Sequence, residues 1–559
     1  MKVLFVSVNA KYIHMNPAVR VFDKLAKDAG FESEFVELTI NDIFLDMLAF
    51  LYKKKADIYM FSCYIWNIEI ILKLSAELKK LYPKAKIVLG GPEVSYNTED
   101  VLKNDFIDFI ISGEGEELIV PLIQSIITDK NIKSPYIATR ENPSAVPAVT
   151  SNLNGPFPYS PEELRSGKII YYETSRGCPY RCSYCVSSIN PGLRFVDDDR
   201  VIADVNYMCR MGAKIIKFVD RTFNANRERA LRFFKEFAAI DANTVFHFEI
   251  CAHLLDDETI SLLSKVPRGK FQFEIGIQST NILTLRAINR LTDLNRVFSN
   301  IEKLKKAGNI HLHLDLIAGL PYDTIGQFES SFNNVYPFAD NLQLGFLKML
   351  HGTEIRRNSN RFGYRYLNHP PYEILENGFM SYKDILKLKS IEDVLERFSN
   401  SGRFRASLSY ISGFFRTPYE MFEVLANFFD PIKEKGNISV KELYFILYKF
   451  SKEILKINEQ AFIDLIKFDY ACNFRGGLSG ELAFDEDKAF KNKCKKILKD
   501  EKYLKNIFNY YPDINYQDIM KNIEIHKFIT FNKRERVLIF DYKYAKITDI
   551  TQIFNEEKG

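Results

Sequence analysis

The chain has 559 residues, 46% apolar and 26% charged, with 76 basic against 72 acidic side chains and a net charge of +4. That is enough for two to four domains with real cores, and the charge balance gives no argument for a nucleic-acid or anionic-membrane surface. No apolar run reaches the ~18 residues that cross a bilayer, and eight cysteines in a chain this long are not a disulfide framework, so a reducing, cytoplasmic setting is expected.

Strand and helix alternate through residues 1–135. Strands are predicted at 2–8, 34–39, 58–63, 86–89 and 106–111, and helices at 17–30, 42–55 and 68–81. The pattern predicts a doubly wound parallel sheet, Rossmann-like or flavodoxin-like, with helices on both faces. Ligands of such sheets sit outside the carboxyl ends of the strands. The loops there carry Asn9 and His14, then Ser62, then Gly90 and Gly91, then Gly113, Glu114 and Gly115. Residues 136–165 are rich in proline and are expected to be an extended linker.

From residue 168 a second βα series begins, with strands predicted at 168–173, 214–219, 245–250, 270–277, 311–316 and 342–347. Six βα units over residues 166–360 predict an open or partial TIM-like barrel, whose chemistry belongs at the carboxyl ends of its strands. Directly after the first strand comes Cys178-Pro-Tyr-Arg-Cys182-Ser-Tyr-Cys185, entered by a turn at Gly177 and Pro179. Clustered thiolates select iron–sulfur clusters or zinc. Structural zinc takes four N or S ligands, and no fourth lies close; the next cysteine is Cys209. The other polar groups at these strand ends are Asp220, Arg221, Glu249, Glu274, Gln278 and Asp315, with a turn at Gly319. Residues 361–559 are expected to be helix-rich, with helices at 374–397, 419–429, 440–457 and 459–468 and a strand at 537–547. No metal or nucleophile constellation appears there.

The cysteine loop resembles the signature of the radical S-adenosylmethionine (SAM) superfamily, C-x3-C-x-aromatic-C, with Tyr184 in the aromatic place. Segments 218–224, 276–279, 319–321 and 347–353 also look like that family. The first 135 residues are similar to the cobalamin (B12)-binding domain fused to one subgroup, and the tail from about 370 looks like an uncharacterised C-terminal region of some members. The resemblance implies that Cys178, Cys182 and Cys185 hold a [4Fe-4S] cluster whose fourth iron binds SAM, giving a 5′-deoxyadenosyl radical. It implies SAM contacts from Tyr184, Asp220, Glu249, Gln278 and Gly319. It implies cobalamin contacts from Asn9, His14, Ser62, Gly90, Gly91, Gly113, Glu114 and Gly115. The lower-ligand motif Asp-x-His-x-x-Gly is absent, because the first loop reads Asn9-Ala-Lys-Tyr-Ile-His14. Cobalamin without a protein nitrogen on cobalt is therefore expected. Methyl transfer to an unactivated centre of a small molecule is the reaction implied first, with cyclisation or rearrangement as the alternative. A non-catalytic cobalamin or metal carrier is the alternative of another class. An electron donor such as flavodoxin or ferredoxin is expected as a partner; a membrane or nucleic acid is not.

Overall fold

A computed structural model describes every residue except 190, 191, 458, 485, 513, 514 and 557–559. The chain divides into two compact units, Met1–Ile385 and Leu386–Gly559; the sequence alone had suggested breaks near 135, 165 and 360.

The first unit opens with strands β1 (Lys2–Asn9), β2 (Glu32–Thr39), β3 (Ile58–Ser62), β4 (Lys86–Gly90), β5 (Phe109–Ile111) and β6 (Ile137–Ala138). Their order is β2-β1-β3-β4-β5-β6, parallel except for β6. β1 reads as an unbroken apolar run because both faces are covered. Leu4, Val6 and Val8 join a core with Leu51, Ile71 and Leu74 on one side, while Val3 and Phe5 meet Val19, Leu122 and Ile123 on the other. The doubly wound expectation holds. The segment expected to be a linker also finishes this sheet: it supplies β6, and Ala148 bridges Gly113. Exposed edge groups at β5 are thereby paired. Gly113 is needed for this, since it has φ +80° and a β-carbon there would lie 2.4 Å from the Ala148 backbone.

The second sheet holds β7 (Ile169–Tyr172), followed along the chain by a short antiparallel ribbon of β8 (Ser175–Cys178) and β9 (Gly192–Phe195). Then come β10 (Ile215–Phe218), β11 (Val245–Glu249), β12 (Phe271–Gln278), β13 (His311–Ala318) and β14 (Asn341–Phe346). Six parallel strands run in the order β14-β13-β12-β11-β10-β7. Among the described residues no pairing joins β7 to β14, so the barrel is open. Outward side chains of these strands are buried against helices in a phenylalanine-rich layer, with Phe223 and Phe248 at 4.7 Å and Phe218 and Phe248 at 4.9 Å. The alternate, inward positions of β10 to β13 are largely polar: Lys217, His247, Glu249, Gln272, Glu274, His311, His313 and Asp315.

After β14 the helix expected over 374–397 starts late. Residues Ile374–Glu376 form β16, paired with β15 (Arg365–Tyr366), and the helix runs Tyr382–Val394. Asn377 Oδ1 accepts from the backbone N–H of Phe379 and Met380 at 2.8 and 2.9 Å, which makes a turn before the helix can begin.

The second unit packs helices Arg405–Ser412, Pro418–Lys433, Val440–Glu453 and Gln460–Asn473, and it has a three-stranded antiparallel sheet of β17 (Ile523–Phe528), β18 (Arg536–Asp541) and β19 (Lys546–Asp549). The single strand expected over 537–547 is thus two. Asp541 Oδ1 accepts from the N–H groups of Lys543 and Tyr544 and turns the chain between them. Among the described residues, no helix is long and apolar enough to cross a membrane.

The turn after β13 buries Asp323 completely, and neither carboxylate oxygen has a hydrogen-bond partner. Burial pushes this acid up to about 7, with the Ser279 side chain opposing. A folded-state value above the unfolded one gives stability that is complete below about pH 4 and is lost as pH rises through about 7, here about 4 kcal/mol. Asp323→Asn is expected to remove that loss. Unfolding free energies at pH 5 and pH 8 should differ less in the variant than in the parent, and equal differences would rule the assignment out.

Candidate active site

The cysteine loop leaves β8 at Cys178 and is fixed at several points. Ser183 N–H donates to Ile288 O at 2.9 Å, Ile355 N–H donates to Ser183 O at 3.0 Å, and Cys185 N–H donates to Cys182 O at 3.1 Å. Gly177, with φ +96°, lets the ribbon close: a β-carbon there would stand 1.9 Å from the Gly192 carbonyl oxygen. Cys182 is buried, which pushes its thiol up. Arg290 opposes this by placing Nη1 3.6 Å from its sulfur. The Cys178 sulfur lies 3.6 Å from Thr222 Oγ1. Among the described residues, no three His, Cys, Asp or Glu side chains already close around one ion.

The five positions expected near SAM fall on this rim in different surroundings. Tyr184 lies inside the loop, and burial pushes its phenol up. Asp220 is fully buried and accepts from Thr174 N–H (2.9 Å), Thr174 Oγ1 (2.5 Å) and Ser175 Oγ (2.6 Å). Its oxygens are therefore engaged with the segment leading into β8. Glu249 faces the barrel interior, where burial raises its acid against the pull of Arg221. Gln278 ends β12 with φ +72°. Gly319 O accepts from Tyr364 Oη and Asn377 Nδ2, both at 2.9 Å.

In the N-terminal sheet a cavity of about 320 Å³ opens at the carboxyl ends of the strands. Ser62, Gly90, Gly91, Gly113, Glu114 and Gly115 all line it, with apolar walls from Val19, Phe22 and Ile119. The structure thus brings six of the eight expected residues together. Asn9 and His14 do not line the cavity. Asn9 accepts from Ser7 Oγ (2.7 Å) and donates to His14 O (3.0 Å) and Glu37 Oε1 (2.9 Å), shaping the first loop. His14 Nδ1 lies 2.6 Å from Tyr171 Oη on β7, and burial followed by Lys11 and Lys217 lowers its pKa.

Glu114 is also tied into the barrel. Its oxygens meet Arg194 at 2.8 and 2.6 Å, Arg176 at 3.1 Å and Thr150 N–H at 2.8 Å. Arg176 sits on β8, two residues before Cys178, and also grips Glu116 (2.8 Å) and Glu173 (2.9 and 2.7 Å). The glutamates of Gly113-Glu-Gly-Glu116 therefore couple the cavity's rim to the strand that carries the cysteines. The sequence reading missed Arg176, Arg290 and Tyr64. Tyr64 lines the cavity and stacks on Trp66 with centroids 4.5 Å apart. An arginine two residues before a cysteine loop and a Tyr-x-Trp after a buried strand were the available signals.

Three family models match successive stretches of the chain: "B12 binding domain" over residues 3–123, "Radical SAM superfamily" over 172–335, and "Protein of unknown function (DUF4080)" over 360–540. The chain carries a B12-binding domain followed by a radical SAM domain, the order expected from its sequence. It is similar to the cobalamin-dependent radical SAM methyltransferase TokK of Streptomyces tokunonensis, at 26% identity over 324 residues. That alignment covers 50% of this chain and 44% of the relative, so the chain spans less than half the relative's length. Among solved structures, the methyltransferase TsrM from Kitasatospora setae covers 66% of this chain and 80% of its own, with a TM-score of 0.56 and 17% identity. The cobalamin-dependent SAM radical enzyme OxsB covers 84% of this chain and 78% of its own, with a TM-score of 0.60 and 13% identity. These two likenesses are of fold.

Proposed function

We propose that this chain is a cobalamin-dependent radical SAM enzyme that transfers a methyl group to an unactivated centre of a small-molecule substrate. The observation that carries the reading is the joint at Arg176: it ties a three-thiol loop on a barrel rim to a glycine-lined cavity in a B12-type domain.

The residues fit the cofactors. The cysteine loop offers three thiols with no fourth cysteine or histidine close in sequence, which suits an iron–sulfur cluster with one open iron better than four-ligand structural zinc. The cavity is lined by apolar side chains and glycines, which suits a flat aromatic group. His14 stands outside the lining of the cavity, which supports cobalamin without a histidine on cobalt. When bound, the reduced cluster would supply the electron that splits SAM into methionine and a radical, and cobalamin would supply the methyl group. The chain's own part is to hold and shield. Asp220 fixes the strand entering the loop, Arg290 places a positive charge beside Cys182, and the barrel interior excludes bulk water around the substrate.

The test is anaerobic loading with iron, sulfide and hydroxocobalamin, followed by reductant and SAM. Formation of both 5′-deoxyadenosine and S-adenosylhomocysteine is expected; a loaded protein that makes neither would falsify the reading. Arg290→Gln is expected to lower the cluster's midpoint potential, by on the order of 50–100 mV, because it removes a charged donor to a ligand sulfur. Redox titration of the loaded protein checks this, and an unchanged potential would count against it.

A further inference from the structure

The stretch from Asn281 to Leu291 lies against the outside of the cysteine loop. Ser183 N–H donates to Ile288 O at 2.9 Å, and Arg290 Nη1 stands 3.6 Å from the Cys182 sulfur. Thr284, Leu285 and Ile288 of this stretch are buried, whereas Ile282, Leu283 and Leu291 are 57%, 58% and 75% exposed. Exposed apolar side chains are ordinary when scattered singly, but three large ones within ten residues make a patch of the kind that marks an interface. The same face is basic. Ile355 N–H donates to Ser183 O at 3.0 Å and Asn289 Nδ2 donates to Glu354 Oε2 at 3.2 Å, so the short helix Glu354–Arg357 borders it. Segments 178–185, 281–291 and 354–357 carry five arginines and a single carboxylate, Glu354, while the chain as a whole is near neutral. Arg181 and Arg286 are exposed, and neither forms an ion pair among the described residues. Large apolar side chains with arginine around them are the composition of protein interfaces.

We propose that this face receives the protein that reduces the cluster, a small one-electron carrier with acidic side chains around its own redox centre. The proposal rests on the reading above that Cys178, Cys182 and Cys185 hold a cluster. Arg181 lies between two of those cysteines in the chain, so a carrier seated on this face is brought beside the centre it must reduce. The step moves one electron and no proton. The carrier's reduced iron–sulfur centre is oxidised, and the cluster of this chain goes from its 2+ to its 1+ state. The exposed arginines attract an acidic partner over about 10 Å at ordinary ionic strength. Ile282, Leu283 and Leu291 then give the docked carrier an apolar surface to cover. Charge pairing of this kind raises the association rate more than the affinity, which suits a carrier that must leave again.

The loaded full chain would be mixed anaerobically with SAM and either dithionite or reduced plant-type ferredoxin, a small acidic iron–sulfur carrier. Ferredoxin reoxidation and 5′-deoxyadenosine are both followed. The ferredoxin-driven rate is expected to fall about tenfold or more between low and physiological salt. Arg286→Glu and Leu291→Asp should each lower it about fivefold or more at low salt. The dithionite-driven rate, the iron content and the midpoint potential should match the parent in both variants, which also establishes that both are folded. Ferredoxin rates equal to the parent's in both variants, a rate independent of salt, or a parent that turns over with dithionite alone would each overturn the proposal. So would a dimer in light scattering that Leu291→Asp separates, since a second copy would then cover this face. A chain that dithionite cannot drive would sink the reading above together with the proposal, so the two failures are distinguishable.

Discussion

Alanine at Cys178, Cys182 or Cys185 is expected to abolish the visible charge-transfer absorption of the loaded protein and to lower its iron from about four per chain toward background. Formation of 5′-deoxyadenosine should fall with it to the uncatalysed level. The three positions should behave alike, because each would supply one thiolate to one cluster. The scattered cysteines should not: Cys63, Cys209 and Cys494 are buried, and burial pushes their thiols up, which disfavours the thiolate that binds metal. Alanine at those three sites is expected to leave iron content unchanged. Zinc in place of iron in the purified protein, held after Cys178→Ala, would exclude the assignment.

Arg176→Ala is expected to destabilise the first unit by about 3 kcal/mol and to loosen the cavity's rim from the cysteine strand. The guanidinium meets Glu173, Glu114 and Glu116 together, and all four side chains are at least 70% shielded. Its removal leaves three carboxylates crowded without their shared cation. The magnitude lies below that of a fully buried pair because each group keeps some water. Arg176→Lys should recover only part, since an ammonium cannot reproduce the fork to Glu173. The effect should also depend on pH. Although burial opposes it, Arg194 and Arg176 hold the Glu114 acid below its usual value. A lowered folded-state value gives stability that is present above about pH 4 and lost as pH falls further. Denaturant unfolding at pH 7 and pH 3 measures both terms. A loss under ~0.5 kcal/mol at pH 7 would mean that the joint is held by other contacts.

Much of the architecture was legible in the chain itself. The unbroken apolar run of β1 and the alternation of β12 and β13 each follow from which faces a neighbour covers, and those patterns are local. The three cysteines were legible for the same reason, since a C-x3-C-x2-C run constrains one loop. Short elements escaped. β8 and β9 read Ser-Arg-Gly-Cys and Gly-Leu-Arg-Phe, with no period-two pattern, and exist because Gly177 permits the close approach. β16 carries a helix-like apolar count, but Asn377 turns the chain after it.

What the sequence determined alone was therefore the two-domain βα order, the open six-stranded barrel and the place of the thiol loop at a strand end. Tertiary structure decided what individual polar residues do. Glu114 lines the cavity and also grips Arg194 and Arg176, 62 and more residues away in the chain. His14 meets Tyr171, 157 residues on. Asp220 meets Thr174 and Ser175, and Asp315 is left with an unmade acceptor. A polar side chain's role depends on which partner reaches it first across the fold. Periodicity carries burial, but it carries no information about that partner.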